Sequence, residues 1–181
     1  IKKLIDILIR KKIYFIFFSS EYIFDGKKGN YTETSKTIPN NLYGKQKLRV
    51  ENFIRKKAKN YSIFRIGKTY GSDINDKTLI SNFLLEIIKG KTVFKVAYDQ
   101  IFSPLYVNDL KKIKIIFLKK KIKGTFNVGG PEKLSRLTVL KLIFQVLGRK
   151  TQSKIKFQEI SLKEFPTLDN RPLNVSMNIK K

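Results

Sequence analysis

The side chains best suited to proton transfer are Tyr43 and Lys47, which lie four residues apart in a run of good helix formers. This spacing places both side chains on one face of a helix. A tyrosine needs help to exchange a proton near neutral pH, because its unperturbed pKa is about 10. An ammonium one turn away favours the phenolate, so the pair predicts a general acid. The same spacing also occurs on ordinary solvated helix faces, so the pair alone leaves that alternative open.

Hydroxyl and carboxyl groups follow an apolar segment upstream of this pair. Residues 13–18 form a continuous apolar run, which is followed by Ser19, Ser20, Glu21 and Tyr22. Such a run is typical of a central parallel strand that is covered on both faces. Polar residues at the carboxyl end of a buried strand occupy the place where open α/β sheets form their sites. A strand followed by a serine-rich turn without a function would give the same pattern.

The composition excludes several classes of site. The chain has 181 residues, of which 41% are hydrophobic, and it contains neither cysteine nor histidine. Disulfides, thiol nucleophiles, histidine-based triads and the usual zinc sites are therefore excluded, and we predict no metal. The opening apolar segment is interrupted by Lys, Arg and Asp, unlike a transmembrane span or a signal peptide. We predict a cytoplasmic protein without a membrane partner.

The net charge of +25 would ordinarily suggest a nucleic-acid partner. The lysines, however, are spread along the whole chain, and no aromatic RNA-binding motif, zinc knuckle or recognition helix accompanies them. The joint excess of Lys, Ile, Asn and Phe is typical of a genome rich in A and T. We therefore predict no nucleic-acid partner, and we leave a homodimer open.

Alternating helical and strand-like segments predict an α/β fold. Strands are expected over residues 13–18, from Tyr61, over 92–97 and from Gly124. Helices are expected over residues 1–12, from a cap at Asn40 or Asn41 to about Asn60, over 77–89, over 108–119, and from Leu134 to Gly148 with Ser135 as N-cap.

Residues 17–51, FFSSEYIFDGKKGNYTETSKTIPNNLYGKQKLRVE, resemble the middle of extended short-chain dehydrogenases/reductases. Within that group they most resemble the dTDP-4-dehydrorhamnose reductase (RmlD-like) family. Its members carry a strand ending in Ser-Thr-Asp-Tyr-Val-Phe-Asp-Gly and then Pro-x-Asn-x-Tyr-Gly-x-x-Lys. The resemblance continues more thinly to the C-terminus. It implies that residues 1–71 are part of a Rossmann-type, doubly wound parallel sheet that binds NAD(P). Residues 72–181 would be a small mixed α/β substrate-binding region with crossovers back to that sheet.

The resemblance implies reduction of a nucleotide-linked 4-keto-6-deoxy sugar by NADPH or NADH. Ser20 falls on the catalytic Thr of the family, Tyr43 on the proton donor, and Lys47 on the lysine that binds the cofactor ribose. Serine keeps the hydroxyl, so a hydrogen bond to the substrate carbonyl is retained. Ser19 is expected beside the cofactor, and the choice of Ser20 over Ser19 as the working hydroxyl rests on register only.

Four further residues are expected to contact the substrate with Ser20, and two of them depart from the family pattern. Glu21 replaces an Asp that touches the sugar ring, and its extra methylene could shift substrate choice. Tyr22 follows in the same motif. Lys68 replaces a stacking Trp, so it offers no aromatic platform for a thymine nucleotide but could meet a phosphate. Arg171, in a family Arg-Pro segment, could pair with a diphosphate or be an exposed structural arginine.

A complete family member begins with a strand and a Gly-x-x-Gly-x-x-Gly turn that holds the cofactor diphosphate. None of the ten glycines in this chain makes that pattern after a strand. The chain is therefore expected to be the C-terminal portion of a longer enzyme and to be inactive alone. Other interpretations remain open: an epimerase or dehydratase of the same superfamily, a non-catalytic regulatory subunit similar to the methionine adenosyltransferase beta subunit, and a charge-driven nucleic-acid binder.

Overall fold

The computed structural model describes residues 1–148, 154–166 and 169–180. The strands, in chain order, are β1 Phe15–Ser20, β2 Tyr61–Ile66, β3 Thr69–Tyr70, β4 Val93–Ala97, β5 Ile101–Phe102, β6 Leu105–Tyr106, β7 Gly124–Val128, β8 Leu134–Ser135 and β9 Lys156–Ile160. The α-helices are α1 Lys2–Arg10, α2 Leu42–Lys57, α3 Leu79–Ile88, α4 Val107–Lys120 and α5 Arg136–Val146. Short 3₁₀ helices cover Glu21–Ile23 and Leu162–Glu164.

A parallel sheet forms the centre of the fold, with the strand order β1-β2-β7. Its register pairs Ser20 with Ile66 and Ile66 with Val128, so all three strands end at the same edge. Helices α1 and α2 cover one face through Ile5, Ile54 and other apolar side chains. The structure thus confirms the predicted α/β class with parallel strands.

The second half of the chain builds its own apolar core. Strands β4 and β9 pair in parallel, and α3 and α5 pack against them around Phe94, Val96, Leu140 and Phe144. The segment near the C-terminus returns to the first half, where an isolated bridge pairs Met177 with Tyr31. The division at residue 71 into a cofactor-binding and a substrate-binding region stays a prediction.

The start of β1 differs from the expected boundary. Helix α1 ends at Arg10, and Lys12 takes a left-handed φ of +53°, a common way to close a helix. The chain therefore turns before the strand begins at Phe15. Strand β1 then continues through Ser19 and Ser20, so these hydroxyls belong to the strand itself instead of to a turn after it.

The start of α2 agrees with one of the two expected caps. The Asn41 side chain accepts a hydrogen bond from the Gly44 amide at 2.7 Å and so closes the first turn. The helix ends at Lys57, three residues before the expected boundary at Asn60. In the part of the chain that the structure describes, no helix is long and apolar enough to span a bilayer.

Candidate active site

The carboxyl ends of β1 and β2 and the first turns of α2 enclose a cleft of about 940 Å³. Strand β1 brings Ser19 and Ser20 to this edge, and α2 brings Tyr43 and Lys47. All four residues of the expected catalytic and cofactor set line this one cleft. Glu21, Tyr22, Lys68 and Arg136 line it too.

Lys47 is fixed between α2 and β1. Its Nζ donates a hydrogen bond to the Phe18 carbonyl oxygen at 2.8 Å. The same Nζ lies 5.5 Å from the centroid of the Tyr43 ring and 5.4 Å from that of Phe17. An ammonium has three donors, so two remain available for a ligand. Lys47 thus both joins the helix to the strand and presents positive charge beside the tyrosine.

Tyr43 presents its ring at the mouth of the cleft. It is 49% exposed, and its ring meets that of Tyr22 edge to face at 6.2 Å. Gly44 makes this contact feasible, because a Cβ at that position would lie 2.1 Å from the Tyr22 carbonyl oxygen. The close approach of α2 to the end of β1 therefore requires glycine next to Tyr43.

The two serine hydroxyls differ in their surroundings. The Oγ of Ser20 accepts a hydrogen bond from the Tyr22 amide at 3.2 Å, which leaves its own proton free to donate. The Oγ of Ser19 is buried without a hydrogen-bond partner among the described residues. Both residues line the cleft, and the assignment of Ser20 as the working hydroxyl stays a prediction.

Glu21 and Lys68 form an acid–base pair inside the cleft. Burial raises the pKa of Glu21 to about 8, against the opposing effect of the Lys68 ammonium. Burial also lowers the pKa of Lys68 to about 8, and the positive charge of Arg136 adds to that lowering. The Nζ of Lys68 lies 5.3 Å from the centroid of the Phe102 ring. The pair is therefore poorly hydrated and sensitive to any charged ligand.

Tyr22 stands between two cavities. Burial is the largest cause of the raised pKa of Tyr22, and the nearby charge of Glu21 raises it further. Tyr22 and Tyr43 also line a second cavity of about 410 Å³ together with the exposed Arg171. Arg171 thus lies near the expected site but does not line the same cleft as Ser20.

Arg136 lines the cleft, although the sequence pattern around it predicted no functional role. It is the first residue of α5, directly after Ser135, whose hydroxyl caps the helix as expected by accepting a hydrogen bond from the Thr138 amide at 3.0 Å. Burial is the largest cause of the lowered pKa of Arg136, and the positive charge of Arg171 lowers it further. The sequence signal around it indicates only a helix start. Its place in the cleft depends on tertiary packing.

A buried ion pair holds α2 on the sheet. Arg65, on β2, contacts Glu51, on α2, with its Nη2 3.0 Å from Oε2 and its Nε 3.3 Å from Oε1. Glu51 is 0% exposed and Arg65 2% exposed. Glu51 stands one helical turn beyond Lys47, so this pair fixes the face of α2 that carries the lysine.

Comparisons with known proteins identify relatives along the whole chain. The family model for the RmlD substrate binding domain matches residues 2–181. A dTDP-4-dehydrorhamnose reductase from Sinorhizobium fredii is 27% identical over 177 residues, covering 92% of this chain and 58% of the relative. The methionine adenosyltransferase 2 subunit beta of Xenopus tropicalis is 28% identical over 133 residues, covering 68% of this chain and 39% of the relative.

Solved structures that resemble this chain include reductases with the same name as the first of these relatives. A dTDP-4-dehydrorhamnose reductase from Clostridium acetobutylicum superposes with a TM-score of 0.83 at 27% identity, covering 97% of this chain and 60% of that one. The Bacillus anthracis reductase, crystallised with NADP, gives a TM-score of 0.88 at 23% identity, covering 99% of this chain and 62% of that one. The chain therefore spans about three-fifths of these proteins.

The shared fold is the Rossmann-type α/β fold expected from the sequence. Because the family model covers nearly every residue, the chain belongs to the RmlD substrate binding domain family.

Proposed function

We propose that the protein carrying this chain reduces a nucleotide-linked 4-keto-6-deoxy sugar, with NADPH or NADH as the reductant. The observation that carries this proposal is the convergence of Ser20, Tyr43 and Lys47 on one cleft in a chain of this family. Relatives named dTDP-4-dehydrorhamnose reductase support the substrate class, and the NADP complex of the Bacillus anthracis reductase supports the cofactor.

The residues of the cleft suit the cofactor and the carbonyl group. The free donors of Lys47 can hold ribose hydroxyls, and Ser19 offers an unpartnered hydroxyl beside them. When bound, the nicotinamide supplies the hydride. Ser20 donates its free proton in a hydrogen bond to the carbonyl oxygen, and the Tyr43 hydroxyl protonates that oxygen. Lys47 favours the negative charge left on Tyr43.

Around this centre, Glu21, Tyr22 and Lys68 would contact the sugar portion of the substrate from the cleft wall. Arg171 would act from the second cavity. No step of this proposal needs a metal. The 181 residues include no Gly-x-x-Gly-x-x-Gly turn to hold the cofactor diphosphate, so we also propose that they are inactive alone.

The test uses the natural protein that carries this chain. Oxidation of NADPH or NADH is followed by absorbance with a dTDP-4-keto-6-deoxy sugar, for the unmodified protein and for Tyr43→Phe. Loss of the phenolic proton should lower kcat by about 10²–10⁴-fold. Tyr98→Phe is the matched control, because Tyr98 is 51% exposed and lies outside the cleft. Unchanged turnover in Tyr43→Phe would contradict the assigned role.

A second function follows from the match to the methionine adenosyltransferase beta subunit, whose name marks it as a subunit of another enzyme. Cofactor binding without turnover of any keto sugar would favour such a non-catalytic role. An epimerase or dehydratase of the same superfamily is the remaining alternative. It would convert the sugar without net consumption of NADPH or NADH, so the same assay with product analysis distinguishes it.

A further inference from the structure

Unpartnered polar atoms gather at the cleft. Among the described residues, the buried side-chain atoms without a hydrogen-bond partner are Ser19 Oγ, Glu21 Oε2, Gln100 Oε1, Asn127 Oδ1 and Arg136 Nε. Ser19, Glu21 and Arg136 line the cleft, and Gln100 hydrogen-bonds to Tyr22 on its wall. Buried polar groups in folded proteins are rarely left unpaired. Their concentration here indicates a site built to be completed by a ligand.

The charges that face this site are mostly positive. Lys68 and Arg136 line the cleft, where the charge of Arg136 acts on Lys68, and Arg171 acts on both from the neighbouring cavity. Glu21 is the acid that faces Lys68. Its Oε2 lies close to Gly67, the residue before Lys68, since a Cβ added to that glycine would be 3.5 Å from it.

The other carboxylate on the cleft wall, Asp76, does not neutralise these cations. Its Oδ1 accepts hydrogen bonds from the Thr78 amide at 2.9 Å and the Ser81 hydroxyl at 2.6 Å. Its Oδ2 accepts one from the Gly71 amide at 3.0 Å. Asp76 therefore organises its own loop. In the part of the chain that the structure describes, no salt bridge within 4.0 Å engages Lys68 or Arg136.

We propose that Lys68 and Arg136 form a subsite for an oxyanion group of the ligand, either a carboxylate on the sugar or a phosphate of the linkage. A guanidinium offers a planar set of donors that matches carboxylate and phosphate oxygens, and the unpartnered Nε of Arg136 is one of them. The Lys68 ammonium adds a point charge, and a protonated Glu21 can donate to the same group. The phosphate source rests on the proposed function, whereas a carboxylate would belong to a nucleotide-linked uronic acid in place of the 6-deoxy sugar proposed above.

The experiment compares UDP-glucuronate with UDP-glucose, which share a diphosphate and differ by one carboxylate. Binding of each to the natural protein is measured by isothermal titration calorimetry, and repeated for Lys68→Met and Arg136→Gln. Loss of one charged partner should weaken binding about ten- to a hundredfold. Lys95→Met serves as the control, because Lys95 is exposed on β4 and lies outside the cleft.

The outcomes separate the two sources of the anion. Weaker binding of both probes to the two variants would identify a phosphate, whereas loss confined to UDP-glucuronate would identify a carboxylate on the sugar. Equal affinities in all proteins, or no binding of either probe, would overturn the proposal.

Lys68→Arg keeps the charge and should retain the affinity, which separates a charge effect from misfolding. Since calorimetry needs no turnover, failure of the proposed reductase activity in the absorbance assay would be seen independently.

Discussion

Glu21 and Lys68 determine the electrostatics of the cleft, because burial disfavours the charged form of both side chains. The sequence indicated their positions through the motif after β1 and the loop after β2. It could not indicate their mutual effect, since they stand 47 positions apart in the sequence and only the parallel pairing of β1 with β2 brings them together. Arg136 was missed for the same reason, because its local signal is that of an ordinary helix start.

The raised pKa of Glu21 makes a prediction about stability. Its pKa is about 8 in the folded protein, where Lys68 and Tyr22 face it, and near 4.5 when unperturbed. Between these values the folded state keeps a proton that the unfolded state loses, so unfolding becomes more favourable as the pH rises. Glu21→Gln removes this dependence. The variant should gain about 1–3 kcal/mol of stability relative to the unmodified protein between pH 5 and pH 8.

Thermal or urea unfolding of both proteins at several pH values within this window checks the prediction. The free energy of unfolding of the unmodified protein should fall with pH more steeply than that of Glu21→Gln. Glu132→Gln is a suitable control, because it makes the same substitution at an exposed residue outside the cleft. A difference between the two proteins that stays constant across the window would show that Glu21 ionises normally.

At the scale of elements, helix α2 decides whether the proposed catalytic residues are brought together. Its start was predictable from the asparagine cap, and its face from the four-residue spacing of Tyr43 and Lys47. The buried pair between Glu51 and Arg65 was not predictable, because it depends on how α2 lies across β2. Short strands such as β3 and β6 were also not predicted, since two residues carry no periodicity.

The contact between α2 and the end of β1 can be tested at Gly44. A Cβ there would lie 2.1 Å from the Tyr22 carbonyl oxygen, too close for the backbone to remain in place. Gly44→Ala should therefore move the first turn of α2 and cost about 1–3 kcal/mol of stability. Because Tyr43 moves with that turn, the kcat of the proposed reduction should fall under conditions where the variant is still folded. Lys45→Ala, at an exposed position of the same turn, should change neither quantity. Full activity of Gly44→Ala would show that the close approach is not required.

At the scale of the whole molecule, the predicted α/β class and the Rossmann-type fold are confirmed, and the family explains both. Strand β1 of the central sheet was predictable because it begins with a continuous apolar run, whereas β7 carries only two apolar side chains, Phe126 and Val128. The return of the C-terminal segment to the first half, through Met177 and Tyr31, was anticipated only by the resemblance, because no local pattern encodes such a distant pairing. The net charge of +25 is distributed over the whole chain and identifies no site by itself.

The net charge of +25 would also attract NADPH, an anion, to the 181 residues alone, whether or not they form a specific cofactor site. In the proposed function Lys47 and Tyr43 hold the ribose side of the cofactor, but the 181 residues include no Gly-x-x-Gly-x-x-Gly turn for its diphosphate. We expect NADPH to bind with a Kd weaker than about 1 mM, measured by titrating its fluorescence. Binding that comes only from the net positive charge should weaken further between low salt and about 0.15 M salt, where the Debye length is about 8 Å. ATP should compete equally well with such non-specific binding. A micromolar Kd that is insensitive to salt and to ATP would mean that these residues hold the cofactor by themselves.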